Sequence, residues 1–95
     1  MIEKKYFKTK DYCKVKFSFS TEANKVEILG LNSDWKKSII MSKKKDGSFC
    51  ADVNLPKAST HEFKYLVDKQ TWLNDPEADA QEQNIFGTTN SVISL

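Results

Sequence analysis

Histidine occurs once and cysteine twice in the 95 residues, so metal and nucleophile chemistry start short of material. Cys13 and Cys50 have no metal-ligand spacing and are too few for a disulfide framework. Each falls in a strand-like run, where a free cysteine behaves as a small buried hydrophobe. A bridge between them is open only if those strands are neighbours. A Cys–His nucleophile would need His61 beside one of them, and no local pattern supports that. His61 itself begins a strand after Ser59-Thr60 and is expected simply to be exposed. With three glycines in all, the chain has no glycine-rich phosphate loop. A glycoside hydrolase needs two carboxylates across a cleft. Asp68, Asp75, Glu77 and Asp79 lie in turn or loop, and so small a domain has little scope for a deep, dry cleft. Neither catalysis nor a cofactor is expected.

Charge of one sign is also lacking. Fifteen basic residues stand against 13 acidic ones, and a net charge of +2 steers no strong polyanion. Nucleic-acid binding wants a concentrated basic face. The densest run, Lys43-Lys44-Lys45, leads straight into the turn signal Asp46-Gly47 and reads as a solvated hairpin tip. No apolar run approaches the ~20 residues that a bilayer span requires. The start of the chain is charged and has no apolar leader segment. The cytoplasm is the expected address, with no nucleic-acid and no membrane partner. Repeats, low-complexity tracts and linkers are absent, so one domain is expected over 1–95, with 1–11 as an N-terminal extension.

What the chain does have is strand signal. Tyr12 to Ser20 places Cys13, Val15, Phe17 and Phe19 on one face and Lys14, Lys16 and Ser18 on the other. Lys25 to Leu29 resumes with Val26 and Ile28, a loop runs from Gly30 to Asp34, and Trp35 closes it. Ile39 and Met41 mark a short strand. After Asp46-Gly47, Phe49, Ala51, Val53 and Leu55 alternate until Pro56 ends the run. Phe63, Tyr65 and Val67 follow, pointing inward and leaving Lys64 on the outer face. Residues 75–84 are polar and are expected to hold at most a turn of helix, and Asn90 to Leu95 closes the chain. Seven or so short strands at this spacing predict an all-β antiparallel sandwich.

The last third carries the chemistry. F-K-Y-L-V-D-K-Q-T-W-L-N-D-P (Phe63–Pro76) runs a strand into a turn bearing Trp72, and N-I-F-G-T-T-N-S-V-I (Asn84–Ile93) leads into the closing strand. Tryptophan, lysine, threonine and asparagine side chains on one face suit a sugar. Stacking the C–H face of a glucose ring on indole buries apolar area at ~25 cal/mol per Å², while the rim hydroxyls stay free for directed hydrogen bonds.

These segments also carry a family likeness. V-E-I-L-G-L-N-S-D-W (Val26–Trp35), D-G-S-F-C-A-D-V-N-L-P (Asp46–Pro56), Phe63–Pro76 and Phe86–Asn90 lie in order and in register from about Lys14 to Leu95. Together they resemble carbohydrate-binding module family 48. That family includes the glycogen-binding domain of the AMP-activated protein kinase β subunit and the N-terminal domains of isoamylases and branching enzymes. The resemblance implies an all-β, immunoglobulin-like antiparallel β-sandwich of the early-set type with about seven to eight strands, and binding of an α-1,4-glucan, whether glycogen, starch, maltooligosaccharide or cyclodextrin. It implies Trp35 and Trp72 as stacking platforms and Lys64 as the lysine between two strand aromatics. Phe86 stands in place of the leucine that enters the curve of the glucan helix, and Thr88 and Asn90 match hydrogen-bonding positions.

Two departures stand out. Asn32 replaces the phenylalanine of the loop before the first tryptophan. The V-D-G hairpin is V-D-K-Q-T, one residue longer, with Lys69 in place of glycine. The longer tip is expected to move Trp72 relative to Trp35 and to set the Lys69 charge close to the sugar path.

Each residue also has a bland reading. Trp35 and Trp72 can be core, Lys64 a solvated strand lysine, and Thr88 and Asn90 turn residues satisfying local backbone. Asp75-Pro76 reads as a chain stop. At the level of the domain, the alternative is a β-sandwich that pairs with a glycogen-metabolising enzyme or kinase and binds no sugar of its own. Retention of Trp35, Lys64, Trp72, Thr88 and Asn90 together favours the sugar.

Overall fold

The computed structural model describes residues 2–95. The long strands form where alternation is cleanest. Strand β2 (Tyr12–Ser20) pairs antiparallel with β6 (Ser48–Pro56), bringing Cys13 opposite Leu55, Val15 opposite Val53, Phe17 opposite Ala51 and Phe19 opposite Phe49. These pairs turn toward the core, while Lys14, Lys16 and Ser18 face out with Asn54, Asp52 and Cys50. Cys13 and Cys50 therefore sit on opposite faces and away from each other along the ladder, and both are free thiols.

β1 (Ile2–Tyr6) lies along β2, and β5 (Ser42–Lys43) along β6, giving the four-stranded sheet β1-β2-β6-β5. The second sheet runs β4 (Ile39–Ile40), β3 (Val26–Leu29), β7 (Thr60–Val67), β10 (Thr89–Ser94), β9 (Ala80–Gln83). In it, β8 (Thr71–Leu73) pairs with the C-terminal half of β7, beyond the reach of β10. Every pairing is antiparallel. The sheets pack face to face through edge-on ring contacts, Phe17 on Phe63 at 5.3 Å and Phe19 on Tyr65 at 4.8 Å between centroids. The fold is the expected immunoglobulin-like β-sandwich.

The ten strands among the described residues exceed the seven to eight read from the sequence, and the additions lie at sheet edges. Ile2–Tyr6, expected as an extension, is β1; Met1, where that extension would begin, lies outside the described residues. Only Ile2 of β1 packs on the core, while Lys4 reaches across to Asp79 at 2.7 Å. Ala80–Gln83, expected to hold at most a turn of helix, is edge strand β9, exposed throughout. Charged and polar edge strands of this kind block further pairing, and they carry no alternation to read.

Candidate functional site

The outer face of the second sheet carries the site. Lys64 projects from β7 between the buried Phe63 and Tyr65. Trp72 stands on β8 opposite Leu66 and is 47% exposed. The β9–β10 loop supplies Phe86 and Thr88, and β10 supplies Asn90. Trp35, Trp72, Asn84, Phe86 and Asn90 together line an open groove of about 380 Å³.

Trp35 is held by its own loop. Gly30, at φ 105, turns the chain out of β3, and the Trp35 ring lies over it. A β-carbon at Gly30 would meet the Glu62 carbonyl oxygen at 2.5 Å and the Trp35 ring at 2.6 Å, so only glycine fits. Asn32 and Ser33 both take left-handed conformations, at φ 57 and 61. Asparagine tolerates that region better than most residues, which suits Asn32 to the place where the family has phenylalanine. Beyond the loop, the Asp34 carboxylate accepts the backbone N–H groups of Lys37 (2.9 Å) and Lys36 (3.1 Å). Those two bonds hold the Asp34 carboxyl below its ordinary range.

His61 is half-buried beneath this loop rather than exposed, which corrects the sequence reading. Its Nδ1 accepts the Asn32 N–H at 3.2 Å, leaving the Nε2 proton to be donated to Ser59 Oγ at 2.8 Å. Burial lowers the His61 pKa below the ordinary 6.5. The fold thus prefers the neutral ring, and the unfolded chain takes up the proton first as pH falls. This contribution to stability is complete above about pH 6.5 and is lost as pH falls from there through the lower folded value. The thermal midpoint should fall between about pH 7.5 and 5.5. A His61→Gln variant should show no step in that window, and an equal step in both proteins would assign it to another group.

The other wall is organised by Asn84. Its Oδ1 accepts the N–H groups of Phe86 (2.9 Å) and Thr88 (3.2 Å), and its Nδ2 reaches Thr88 Oγ1 at 2.8 Å and Asn90 Oδ1 at 3.0 Å. The loop is thereby folded back on its first residue, and Ile85 and Phe86 are thrust into solvent at 93% and 84% exposure. Lys64 Nζ joins from β7 at 3.3 Å from Thr88 Oγ1, and Asn90 Nδ2 donates to Glu62 Oε1 at 3.3 Å. All six residues singled out in the sequence thus meet in one region. Asn90, however, is 8% exposed with its side-chain amide already engaged. Asn84 and Ile85 were not singled out. An Asn opening a short Gly-containing loop is the signal that marks such a turn; nothing in the sequence marks Ile85.

Lys69 lies at the tip of the β7–β8 hairpin. The hairpin tip places Asp68 and Lys69 at φ 50 and 55, and Val67 C=O accepts the Gln70 N–H at 3.0 Å. Two left-handed central residues make a primed turn, the kind whose twist suits a hairpin. The Asp68 carboxylate accepts the N–H groups of Asn24 and Lys25, both at 2.9 Å. Lys69 turns toward Glu27, with Nζ 3.6 Å from Oε1, and does not line the groove.

Among the described residues no three His, Cys, Asp or Glu side chains gather into a metal-holding group. No curated protein matches the chain. Residues 13–95 match the family model of the glycogen recognition site of AMP-activated protein kinase. With a β-sandwich that presents two exposed tryptophans at one groove, the chain belongs to that family of glycogen recognition domains.

Proposed function

We propose that this domain is a non-catalytic α-glucan-binding module that stacks sugar rings on Trp35 and Trp72. The observation that carries the reading is the groove itself, where two exposed tryptophans and the protruding Phe86 converge beside the Lys64–Thr88–Asn84–Asn90 network. Indole faces take the apolar side of each ring, and two platforms at one groove, with Phe86 protruding beside them, suit a curved α-1,4 chain better than flat cellulose. Phe86 enters the curve of the chain. Lys64 and Thr88, at the surface end of the network, bond hydroxyls. Asn90 acts through its amide once its contacts with Asn84 and Glu62 rearrange, or else it holds the loop in place. The contacts are few and sugars are well hydrated, so affinity for a free oligosaccharide falls at roughly micromolar to millimolar.

The test is a titration with β-cyclodextrin and maltoheptaose, using a cello-oligosaccharide as control. Tryptophan emission should shift with the α-glucans alone, and the amides of Trp35, Trp72 and residues 84–90 should move in NMR spectra. Unmoved emission and unmoved amides at millimolar α-glucan would refute the reading.

A further inference from the structure

Among the described residues, a single buried side-chain oxygen or nitrogen has no hydrogen-bond partner, Oε2 of Glu27. Glu27 lies in β3 and is 3% exposed. Its other oxygen is occupied, accepting Ser38 Oγ at 2.6 Å with Lys69 Nζ at 3.6 Å and Lys25 Nζ at 4.0 Å. A buried acceptor to which no protein group donates calls for a physical account, and a donor supplied by a ligand is one.

The position of Glu27 indicates which ligand. Register sets Trp72 opposite Leu66, Leu66 opposite Glu27, and Glu27 opposite Ile40. Directly opposed residues share a face, so these four form one row across the outer face of β8, β7, β3 and β4. Strands lie about 4.8 Å apart, which puts Glu27 roughly 10 Å and Ile40 roughly 14 Å from Trp72. The ends of the row are open, Trp72 at 47% and Ile40 at 62% exposure. Asn84, Phe86 and Asn90 line the groove from the β9–β10 side, and the row leaves Trp72 in the opposite direction.

Charge narrows the chemistry. Two ammonium groups within 4.0 Å of the carboxylate disfavour a metal cation, and the carboxylate disfavours an anion. A neutral O–H donor remains. We infer that the row Leu66–Glu27–Ile40 extends the glucan platform beyond Trp72, with Glu27 Oε2 accepting a hydroxyl from a sugar ring that lies toward Ile40. Lys69 covers Glu27 in the free protein. Its side chain is 66% exposed at a hairpin tip, so it swings aside into water without breaking packing. The inference rests on the glucan-binding reading and adds chain length to it. A ring stacked on Trp72 does not span 10 Å, so only a longer oligosaccharide reaches Glu27.

Glu27→Gln tests this, because glutamine keeps the shape and an oxygen for Ser38 while removing the charge. Affinity for maltoheptaose should fall about tenfold, the size of one charge-assisted hydrogen bond, while binding of maltose, too short to reach from Trp72 to Glu27, stays unchanged. In the wild-type domain, maltoheptaose but not maltose should shift the amides of Glu27, Ser38 and Ile40. That second measurement decides the matter even if the variant unfolds. An equal loss for both sugars makes Glu27 a structural support of the hairpin and overturns the inference. So do unmoved amides at residues 27, 38 and 40 while Trp72 responds, an outcome that leaves the glucan reading standing. No response at Trp72 either would remove both.

Discussion

Trp72→Ala is expected to weaken maltoheptaose binding by about 2 kcal/mol, roughly thirtyfold, while the domain still unfolds cooperatively. Both halves follow from where the ring sits. Trp72 stands on a three-residue strand, on the outer face, half exposed and apart from the core cluster built on Phe17, Phe49, Phe63 and Tyr65. Little packing is lost when it is truncated, whereas an aromatic anchor on the groove is the contact that a sugar ring needs. Trp35→Ala should weaken binding to a similar degree, with a larger effect on stability because its ring covers Gly30. Phe86→Ala, at 84% exposure, should leave the midpoint of unfolding where it is. Titration of each variant beside its urea curve separates the two effects. If Trp72→Ala abolishes cooperative unfolding, that ring belongs to the core and cannot be called a platform.

The sequence was most legible where one face of a strand meets the core and the other meets water. β2 and β6 have that asymmetry along their whole length, so alternation alone identified Cys13, Val15, Phe17, Phe49 and Leu55 as inward residues. The same logic placed Lys64 outward. β3 broke the rule, since all four of its residues are buried. Glu27 occupies an outward position that Ser38, Lys69 and Lys25 cover, and no periodicity reports covering by distant residues. β1 and β9 escaped because edge strands need no apolar face. At the site, the family resemblance pointed to six positions that the structure gathers in one region, while the side chain that joins several of them, Asn84, acts through local bonds to Phe86, Thr88 and Asn90. The pairing of Lys69 with Glu27 was not legible, because the direction of a long side chain at a turn depends on its partner across the sheet.

Asp75→Ala is expected to cost about 3 kcal/mol of stability, lowering the thermal midpoint by roughly 12–24 °C in a domain of this size. Asp75 follows β8 and is 1% exposed. Its Oδ2 accepts the Tyr65 hydroxyl at 2.7 Å, and Oδ1 accepts the Glu77 N–H at 2.8 Å. Burial first, and then the Asp75 carboxylate, push the Tyr65 phenol well above its ordinary pKa, so that hydroxyl remains a donor. Alanine would strand it in the core without an acceptor, and an unsatisfied buried donor costs more than the bond contributed. The Asp75 N–H also donates to Ser91 Oγ at 2.8 Å; Ser91 in turn donates to Asn74 Oδ1 at 3.0 Å, and Asn74 Nδ2 holds Thr89. This chain of bonds ties the end of β8 to β10, joining the Trp72 strand to the strand of Asn90. Tyr65→Phe leaves the carboxylate and its Glu77 bond in place and should cost about 1.5 kcal/mol, half as much. Both variants keep the Asp75 N–H bond to Ser91, so at temperatures where both are folded they should bind maltoheptaose equally well. Equal stabilities for the two variants would show that the Tyr65 bond is all that the Asp75 side chain contributes, the backbone link to Ser91 being common to both.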